Sequence, residues 1–398
     1  MRAAPAASRK IHLEPLRIAV VTVIPTPYRD PFWRVFERNE EVELTVFYCA
    51  GGKKDRPWTV DWGQPNHACY LKGYNLAAAF GAATSLYWNP EIRKRLREKP
   101  YDGIIVAGYN HFTMLWAMWF ARRKGIPYFL SSESYLQQRR SWWKPLIKDW
   151  LVRRIVSHAR GNLPTGKLAS EYLLHYGAHP ERLCPVPNIP DVDRFQECAK
   201  TLLPQRVRLR KERGLEKPSI LFVGRFIPMK GGHLLIKAFS RLTRDLDAQL
   251  IMLGDGPERT AWQKLATSEG INDRIQFPGF VSPQSIPAWF ASLDLMCLPS
   301  TNETWSVVVL EALSSGLPVV ITDRVGCYPN VISRAEVGEV VAAGEIGALY
   351  LGLKCQLEKE ISRKEMFRLW KETRREFEYG VVASRLRGFL QQWCRFPE

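Results

Sequence analysis

Residues 302–320, NETWSVVVLEALSSGLPVV, decide how this chain is interpreted. Their spacing predicts a helix from about Ser306 to Ser315 that is apolar on nearly every side, and such a helix is buried. Yet Glu311 lies in the middle of this helix, and Glu303 lies just before it. A buried carboxylate without a partner costs several kcal/mol or shifts its pKa. The stretch therefore predicts that a polar group faces Glu311.

On both sides of this stretch, short β-branched runs alternate with helical patterns in two series. The first series predicts buried strands at 17–25, 42–49, 101–108 and 126–134. The second series predicts strands at 219–225, 248–256, 274–280, 293–300 and 317–322. Two such β-α-β series predict an α/β fold with two Rossmann-like, doubly wound parallel sheets.

The chain has 398 residues, 46% of them apolar and 24% charged, as in a globular protein of two or three domains. Its net charge is +17, and residues 1–200 hold 30 Lys and Arg against 18 Asp and Glu. A basic, Trp-rich first half indicates an anionic partner such as nucleic acid, phospholipid head groups or a phosphorylated substrate. A solvated basic face without a partner is the alternative.

The eight cysteines form no C-x-x-C pair and no metal-ligand spacing. The N-terminus lacks the apolar centre of a secretory signal, and no run of about 18 apolar residues could cross a bilayer. We therefore expect a reduced, cytoplasmic setting, with contact at the inner face of the membrane as a further hypothesis.

Charged residues follow two strands of the second series. The first of its strands runs into Arg225 and Lys230, and the fourth runs into Glu303. If these strands are neighbours, both cations and the free N–H groups near Ser306 face one cleft beyond the sheet. That set suits a diphosphate, because arginine binds it bidentately and lysine supplies a point charge. Glu311 would then accept hydrogen bonds from sugar or ribose hydroxyls, which favour its ionised form.

Five segments resemble a known family. They are VPNIPDVDRF (186–195), FVGRFIPMKGG (222–232), MLGDGPE (252–258), FPGFVS (277–282) and NETWSVVVLEALSSGLPVVITD (302–323). In this order they resemble the retaining GT-B glycosyltransferases of family four, the glycosyl transferases group 1. The resemblance covers about residues 17–395. Its specific signal is the E-x7-E pair combined with an upstream arginine and lysine.

The resemblance also implies a domain organisation in which two domains face a cleft. We expect a flexible leader (1–16), an N-terminal Rossmann-like acceptor domain (17–200), a linker (201–218), a C-terminal Rossmann-like donor-nucleotide domain (219–375) and a terminal helix (376–398) that crosses back to the first domain.

The resemblance further implies a nucleotide-diphosphate sugar donor, with no cofactor and no metal. Arg225 and Lys230 would bind the diphosphate and stabilise the leaving group, while Glu303 would bind donor-sugar hydroxyls. The implied donor contacts are Gly224, Pro278, Gly279, Phe280, Thr304, Ser306, Val307 and, at the ribose, Glu311. In the first domain, His111 follows a strand end and would approach the donor sugar or the acceptor. A histidine that only caps a helix is the alternative.

The chain departs from the family pattern in places. Trp305 stands where phenylalanine is common, and Thr304 and Ser306 stand where glycines are common, so the donor-sugar pocket could be narrower. The string PTPYR (25–29) replaces a glycine pair, which makes Thr26, Tyr28 and Arg29 candidate acceptor-side or phosphate contacts. The D-x-D at 191–193 matches a structural turn of the family, so we expect no metal there.

Residues 141–160 combine a basic and an apolar pattern. An apolar stripe of Leu146, Ile147, Trp150, Leu151 and Ile155 is flanked by Trp142, Trp143, Lys144, Lys148, Arg153, Arg154 and Arg160. This pattern is typical of peripheral contact with an anionic membrane. A core helix with a solvated basic face is the alternative.

These features together predict a retaining, metal-independent glycosyltransferase of the hexosyltransferase type. Its acceptor would be a saccharide or lipid-linked saccharide in surface polysaccharide or glycolipid synthesis. One alternative is a catalytically silent GT-B scaffold, and a phosphorylase or epimerase on this fold is a nearer one. A basic nucleic-acid or anion binder is favoured by charge alone, and without a helix-turn-helix, zinc finger or RNP-like signature we expect no nucleic-acid partner.

Overall fold

The computed structural model describes residues 14–38, 41–52, 65–79, 85–136, 145–332, 334–359 and 361–395. Most of the expected leader and residues 141–144 of the basic segment lie outside these ranges. Within them, no helix has the length and apolar character needed to cross a membrane.

The first half of the chain builds a six-stranded sheet. Its strands and an adjoining two-stranded pair are β1 (Leu16–Thr22), β2 (Val42–Tyr48), β3 (Ala68–Tyr70), β4 (Tyr74–Asn75), β5 (Tyr87–Trp88), β6 (Gly103–Ala107), β7 (Tyr128–Ser132) and β8 (Gly161–Pro164). The large sheet has the order β3-β2-β1-β6-β7-β8, and β4 pairs with β5 in antiparallel fashion. The helices between them are α1 (Arg29–Glu37), α2 (Leu76–Ala79), α3 (Ile92–Glu98), α4 (Phe112–Lys124), α5 (Pro145–His158) and α6 (Lys167–His175).

The second half repeats this plan. Its strands are β9 (Ser219–Val223), β10 (Gln249–Leu253), β11 (Ile275–Gly279), β12 (Leu295–Leu298), β13 (Val319–Thr322) and β14 (Gly338–Val341), in the order β11-β10-β9-β12-β13-β14. The helices are α7 (Val192–Leu202), α8 (Arg206–Glu212), α9 (Gly232–Leu242), α10 (Arg259–Ser268), α11 (Ile286–Ser292), α12 (Val307–Ser314), α13 (Tyr328–Val331), α14 (Ile346–Glu358), α15 (Arg363–Arg375) and α16 (Tyr379–Arg395). Four short 3₁₀ turns complete the half: Pro180–Arg182, Leu203–Gln205, Pro228–Lys230 and Asn272–Arg274.

Both large sheets have the Rossmann strand order, in which the chain reverses direction across the sheet after its third strand. Their central strands are nearly continuous apolar runs, because helices cover both faces of a parallel sheet. β1, β9 and β12 are buried along almost their whole length. The predicted α/β fold with two doubly wound sheets is thereby confirmed.

The chain divides into two compact units. Residues 1–26, 30–130 and 386–398 form the first unit, and residues 27–29 and 131–385 form the second. The segment expected to be a linker (201–218) contains α8, whose Arg206 and Arg210 form ion pairs with Asp294 at 2.6 and 3.0 Å. The domain boundaries expected from the sequence stay a prediction.

Candidate functional site

The switch point of the second sheet brings two charged loops together. β9 and β12 are parallel neighbours, with Leu221 opposite Met296. We name the segments that follow them the β9 loop (224–231) and the β12 loop (299–306). The Thr301 amide donates a hydrogen bond to the Met229 carbonyl oxygen at 2.9 Å. A Cβ atom on Gly231 would lie 2.0 Å from the Pro299 carbonyl oxygen, so only glycine permits this close approach.

An ion pair joins these two loops. The Lys230 ammonium donates to the Glu303 carboxylate, and the two side chains are only 17% and 20% exposed. Arg225, at the start of the β9 loop, is exposed. The sheet thus presents two cations and a carboxylate at one edge, as parallel neighbours with charged carboxyl ends require.

The β12 loop ends in an unusual backbone conformation. Ser306 has φ 114°, and it alone among the described non-glycine residues has positive φ. Its side chain makes no capping bond to α12, so the N–H groups at the helix start are not used by their own cap residue. A non-glycine residue in this region costs about 1–3 kcal/mol and persists only where surrounding contacts hold it. The strained residue therefore lies at the start of the helix that could bind an anion.

Glu311 faces the question that the sequence raised. Its side chain is half-buried on α12, and burial raises its pKa to about 7, with Arg194 acting in the opposite direction. No donor within the described part of the chain forms a hydrogen bond to its carboxylate. Its predicted polar partner is therefore not a described protein group, which is compatible with a ligand hydroxyl.

The other candidate donor contacts lie in adjacent loops of the same sheet. Gly254, which follows β10, donates its amide to the Gly279 carbonyl oxygen at 2.9 Å. A Cβ atom on Gly254 would lie 1.9 Å from the Gly224 carbonyl oxygen, so the loops after β9, β10 and β11 are packed backbone to backbone. Phe280, just beyond Gly279, is 56% exposed and offers an aromatic face at this sheet end.

The first unit has a switch point of its own, between β1 and β6. Val21 lies opposite Val106, so Thr26 and His111 follow neighbouring strands. His111 is buried, and its Nδ1 accepts a hydrogen bond from the Tyr87 amide at 3.2 Å. Because Nδ1 accepts, the proton of the neutral ring is on Nε2. The side chain makes no capping bond to α4, so the capping alternative is not what the structure shows.

The residue that stands in place of a family phenylalanine is an anchor. The Trp305 ring is 3% exposed, and its indole N–H donates to the Asn188 carbonyl oxygen at 2.7 Å. A Cβ atom on Gly166 would lie 2.3 Å from this ring, so the ring packs directly on that glycine. A ring this deeply buried adds little surface to an open pocket, contrary to the narrowing expected from the sequence.

Sequence reasoning missed two polar residues near the β12 loop. Arg29, a candidate acceptor-side contact, donates to Glu133 at 2.5 Å and to Asn188 at 2.7 Å. Thr304 donates to the same Glu133 at 3.2 Å. The available signal was the position of Glu133, a carboxylate at the carboxyl end of the predicted strand 126–134.

The D-x-D at 191–193 is structural. Asp191 caps α7 by accepting the Arg194 amide at 3.0 Å, and Asp193 forms an ion pair with Arg374. Across the ranges that the structure describes, no cluster of three or more His, Cys, Asp or Glu is placed to hold a metal ion. The two aspartates are already engaged as a cap and an ion-pair partner.

The apolar stripe expected at 141–160 does not form a single face. In the described part of α5, Trp150 and Leu151 are exposed while Ile155 is buried. The cause is the helical spacing, because Ile155 shares the inward face with the buried Val152. The Arg154 guanidinium lies 5.4 Å from the Trp150 ring centroid, so the exposed face pairs an aromatic ring with a cation.

The first unit carries a similar surface that the sequence analysis did not single out. On α4, Trp119 is 51% exposed and lies 5.4 Å from the Arg123 guanidinium. On α3, Arg93 lies 5.8 Å from the Trp116 ring and Arg97 lies 6.0 Å from the Phe120 ring.

Comparison with protein families identifies both halves of the chain. A glycosyl transferase 4-like domain matches residues 16–189, and the glycosyl transferases group 1 family matches residues 206–372. The chain is 30% identical over 269 residues to alpha-D-kanosaminyltransferase of Streptomyces kanamyceticus, covering 64% of this chain and 67% of that protein.

Other relatives are covered less completely. The chain is 32% identical over 221 residues to D-inositol 3-phosphate glycosyltransferase of Corynebacterium glutamicum (strain R), covering 53% of this chain and about half (52%) of that protein. Among solved structures, HepE of Anabaena in complex with UDP has a TM-score of 0.74 at 16% identity, covering 95% of this chain and 100% of that one. This last similarity concerns the fold.

Proposed function

The chain belongs to the glycosyl transferases group 1 family of GT-B proteins, and from that premise we propose that it is a retaining glycosyltransferase. It moves a sugar from a nucleotide-diphosphate sugar to a saccharide or lipid-linked saccharide. The named relatives act on a sugar-containing antibiotic precursor class or an inositol phosphate only as far as their names state, so the acceptor class here is our proposal.

The observation that carries the proposal is the contact between the β9 and β12 loops. It places Lys230 against Glu303 and leaves Arg225 exposed beside them. The start of α12 and the unpartnered Glu311 carboxylate belong to the same sheet edge. Cations and a helix N-terminus suit a diphosphate, while carboxylates suit hydroxyl groups, and a nucleotide sugar contains both.

In the proposed mechanism, stabilisation of the leaving group is the main electrostatic contribution. As the glycosidic C–O bond breaks, negative charge develops on the departing nucleoside diphosphate. Arg225 and Lys230 neutralise that charge, which is the service that a divalent metal supplies in other enzymes. This is the physical basis for expecting metal-independent transfer.

Glu303 has a positioning role in this mechanism. Its carboxylate is held by Lys230, so it is oriented to accept hydrogen bonds from donor-sugar hydroxyls. We propose a front-face reaction in which the acceptor enters on the side that the diphosphate leaves, without a nucleophile from the protein. The anomeric configuration is then retained. His111, in the first unit, stays a predicted contact of the donor sugar or acceptor.

Calorimetric titration with UDP, GDP and ADP, without metal, tests the donor site. We expect one nucleotide to bind selectively and Arg225→Ala to weaken it by at least about tenfold, as loss of a charged hydrogen bond implies. A matched control is Arg241→Ala, on the last turn of α9. If none of the three nucleotides binds the wild-type protein, the silent-scaffold alternative replaces this proposal.

We also propose peripheral contact with an anionic membrane. Support comes from the exposed Trp150 and Leu151 on α5 with Arg154 over the indole ring. Aromatic rings and cations together suit the head-group region of a bilayer. Such contact would bring a lipid-linked acceptor within reach.

A further inference from the structure

A cluster of polar side chains joins four distant parts of the second unit at the β12 loop. Its members are Arg29, Glu133, Asn188 and Thr304, and we name it the Glu133 cluster. None of its hydrogen bonds is local, because at least 55 residues of chain separate each bonded pair. Such long-range convergence costs chain entropy, so it is retained where the bonds repay that cost in structure or function.

The two oxygens of the Glu133 carboxylate have different partners. Oε1 accepts from the Arg29 guanidinium at 2.5 Å and from the Asn188 amide group at 2.8 Å. Oε2 accepts from the Thr304 hydroxyl at 3.2 Å. Arg29 also donates to the Asn188 side-chain oxygen at 2.7 Å, which closes a three-membered ring of hydrogen bonds. One face of the carboxylate is therefore fixed by the ring, and the other face holds the loop.

The residues on either side of Thr304 are held in the same way. Tyr135 donates its hydroxyl to the Asn302 side-chain oxygen at 2.9 Å, and Trp305 donates to the Asn188 carbonyl oxygen at 2.7 Å. Segments 133–135 and 188 thus hold the β12 loop at three of its positions. Glu303 and Ser306, which carry the proposed sugar contact and the strained backbone, lie between and beside these three anchors.

From this arrangement we infer that Glu133 is a positioning residue that acts on the donor sugar through Thr304. The inference rests on the proposed function and deepens it. Glu133 fixes the direction of the β12 loop and so the orientation of Glu303. Because the cluster contacts the sugar-facing loop and not the cations of the β9 loop, it governs recognition of the sugar and leaves diphosphate affinity unchanged. Threonine in place of a smaller residue supplies the hydroxyl on which this coupling depends.

The test compares two ligands of one protein: the nucleotide that the calorimetric titration selects, and its glucose or mannose conjugate. Thr304→Val removes the hydroxyl at nearly constant shape. We expect the Kd of the nucleotide to stay within about twofold, while the conjugate binds about tenfold more weakly and its hydrolysis without acceptor slows similarly, as loss of a hydrogen bond to a charged group implies. Thr304→Ser keeps the hydroxyl and restores both values.

A double-mutant cycle separates action through Thr304 from general damage. Glu133→Gln keeps the size of the side chain and removes its charge, and Ser134→Ala, next to it and outside the cluster, is the matched control. If Glu133 acts through Thr304, the double variant Glu133→Gln/Thr304→Val is no worse than the poorer single variant. Additive losses, or equal losses for nucleotide and conjugate, would overturn the inference. Thermal unfolding of each variant verifies that it is folded.

The outcome also distinguishes this inference from the proposed function. If the wild-type protein binds and hydrolyses a nucleotide sugar and Thr304→Val behaves as wild type, only the positioning role fails. If the wild-type protein binds no nucleotide, the donor site and the positioning role fail together.

Discussion

Lys230 and Glu303 form an ion pair between the loops that follow β9 and β12. The two residues are 73 positions apart in the chain, and strand pairing brings them together. Both side chains are mostly buried, so neither charge is well solvated. Breaking such a pair by removing one partner leaves an uncompensated charge and costs more than the pair itself contributes.

Removing the lysine should affect the diphosphate most strongly. Lys230→Met keeps the aliphatic length and removes the charge, and we expect the nucleotide Kd to rise at least about tenfold. Titration of the nucleotide beside Lys237→Met, an exposed lysine of α9, controls for net charge. Equal affinities in Lys230→Met and the control would show that the ammonium does not contact the diphosphate.

Ligand binding should be linked to proton release at Glu311. Burial raises its pKa to about 7, so below that pH the free protein carries it largely protonated. Ribose hydroxyls that donate to the ionised form lower this pKa, and binding therefore releases a proton at about pH 6. Affinity should rise as pH is raised toward 7 and then level off.

Calorimetry in two buffers of different ionisation enthalpy measures that proton. Glu311→Gln should bind with no proton release and with little dependence on pH over the same range. Proton release of equal size in both proteins would assign it to another group.

The same raised pKa affects stability. The native state binds the Glu311 proton more tightly than the unfolded state, whose ordinary value is 4.5. The contribution of this group is therefore fully present below about 4.5 and is lost as pH rises through about 7. Denaturant unfolding without ligand should show Glu311→Gln gaining stability relative to wild type between about pH 5 and pH 8. A constant difference across this range would contradict the burial argument.

Ser306 should tolerate glycine better than any residue with a Cβ atom. Its φ of 114° lies in the left-handed region, which glycine adopts without strain. We expect Ser306→Gly to match or exceed wild-type stability by up to about 1 kcal/mol, and Ser306→Val to lose about 1–3 kcal/mol. Denaturant unfolding measures both. Ser315→Gly, at φ −84° beyond the same helix, should instead destabilise the protein.

Membrane contact should depend on exposed apolar groups of α5. Trp150→Ser combined with Leu151→Ser is expected to reduce sedimentation with vesicles containing anionic phospholipid by about tenfold or more, since each fully inserted large side chain contributes roughly 1.5–3 kcal/mol. Val207→Ser, at an 83% exposed position on α8, is the matched control. Unchanged sedimentation of the double variant would remove α5 from the proposed surface.

Several strands that the sequence analysis omitted share a physical cause. β3, β8 and β14 are edge strands of three or four residues. Gly161 and Pro164 lie within β8, and both residue types weaken a strand pattern. Such strands form because a neighbour offers unpaired backbone groups, which is a tertiary effect that local periodicity does not report.

The central strands show the opposite situation. β9 and β12 are runs of apolar residues that can be stable only when both faces are covered, so local sequence alone predicted them. The helix that carries Glu311 was predicted to within one residue at each end, because its apolar residues leave no exposed face.

The sequence by itself determined the fold class, the two Rossmann-like sheets and the chemical types of the residues at their strand ends, because hydrophobic period and strand-end position are local properties of a chain. Only the tertiary structure decided which of those residues meet. It paired Lys230 with Glu303, left Glu311 without a described donor, and joined Glu133 to Thr304 across 171 positions. Hydrogen bonds and ion pairs act over a few ångströms, and the distances that control them are set by how the chain packs, not by how its residues are spaced along it.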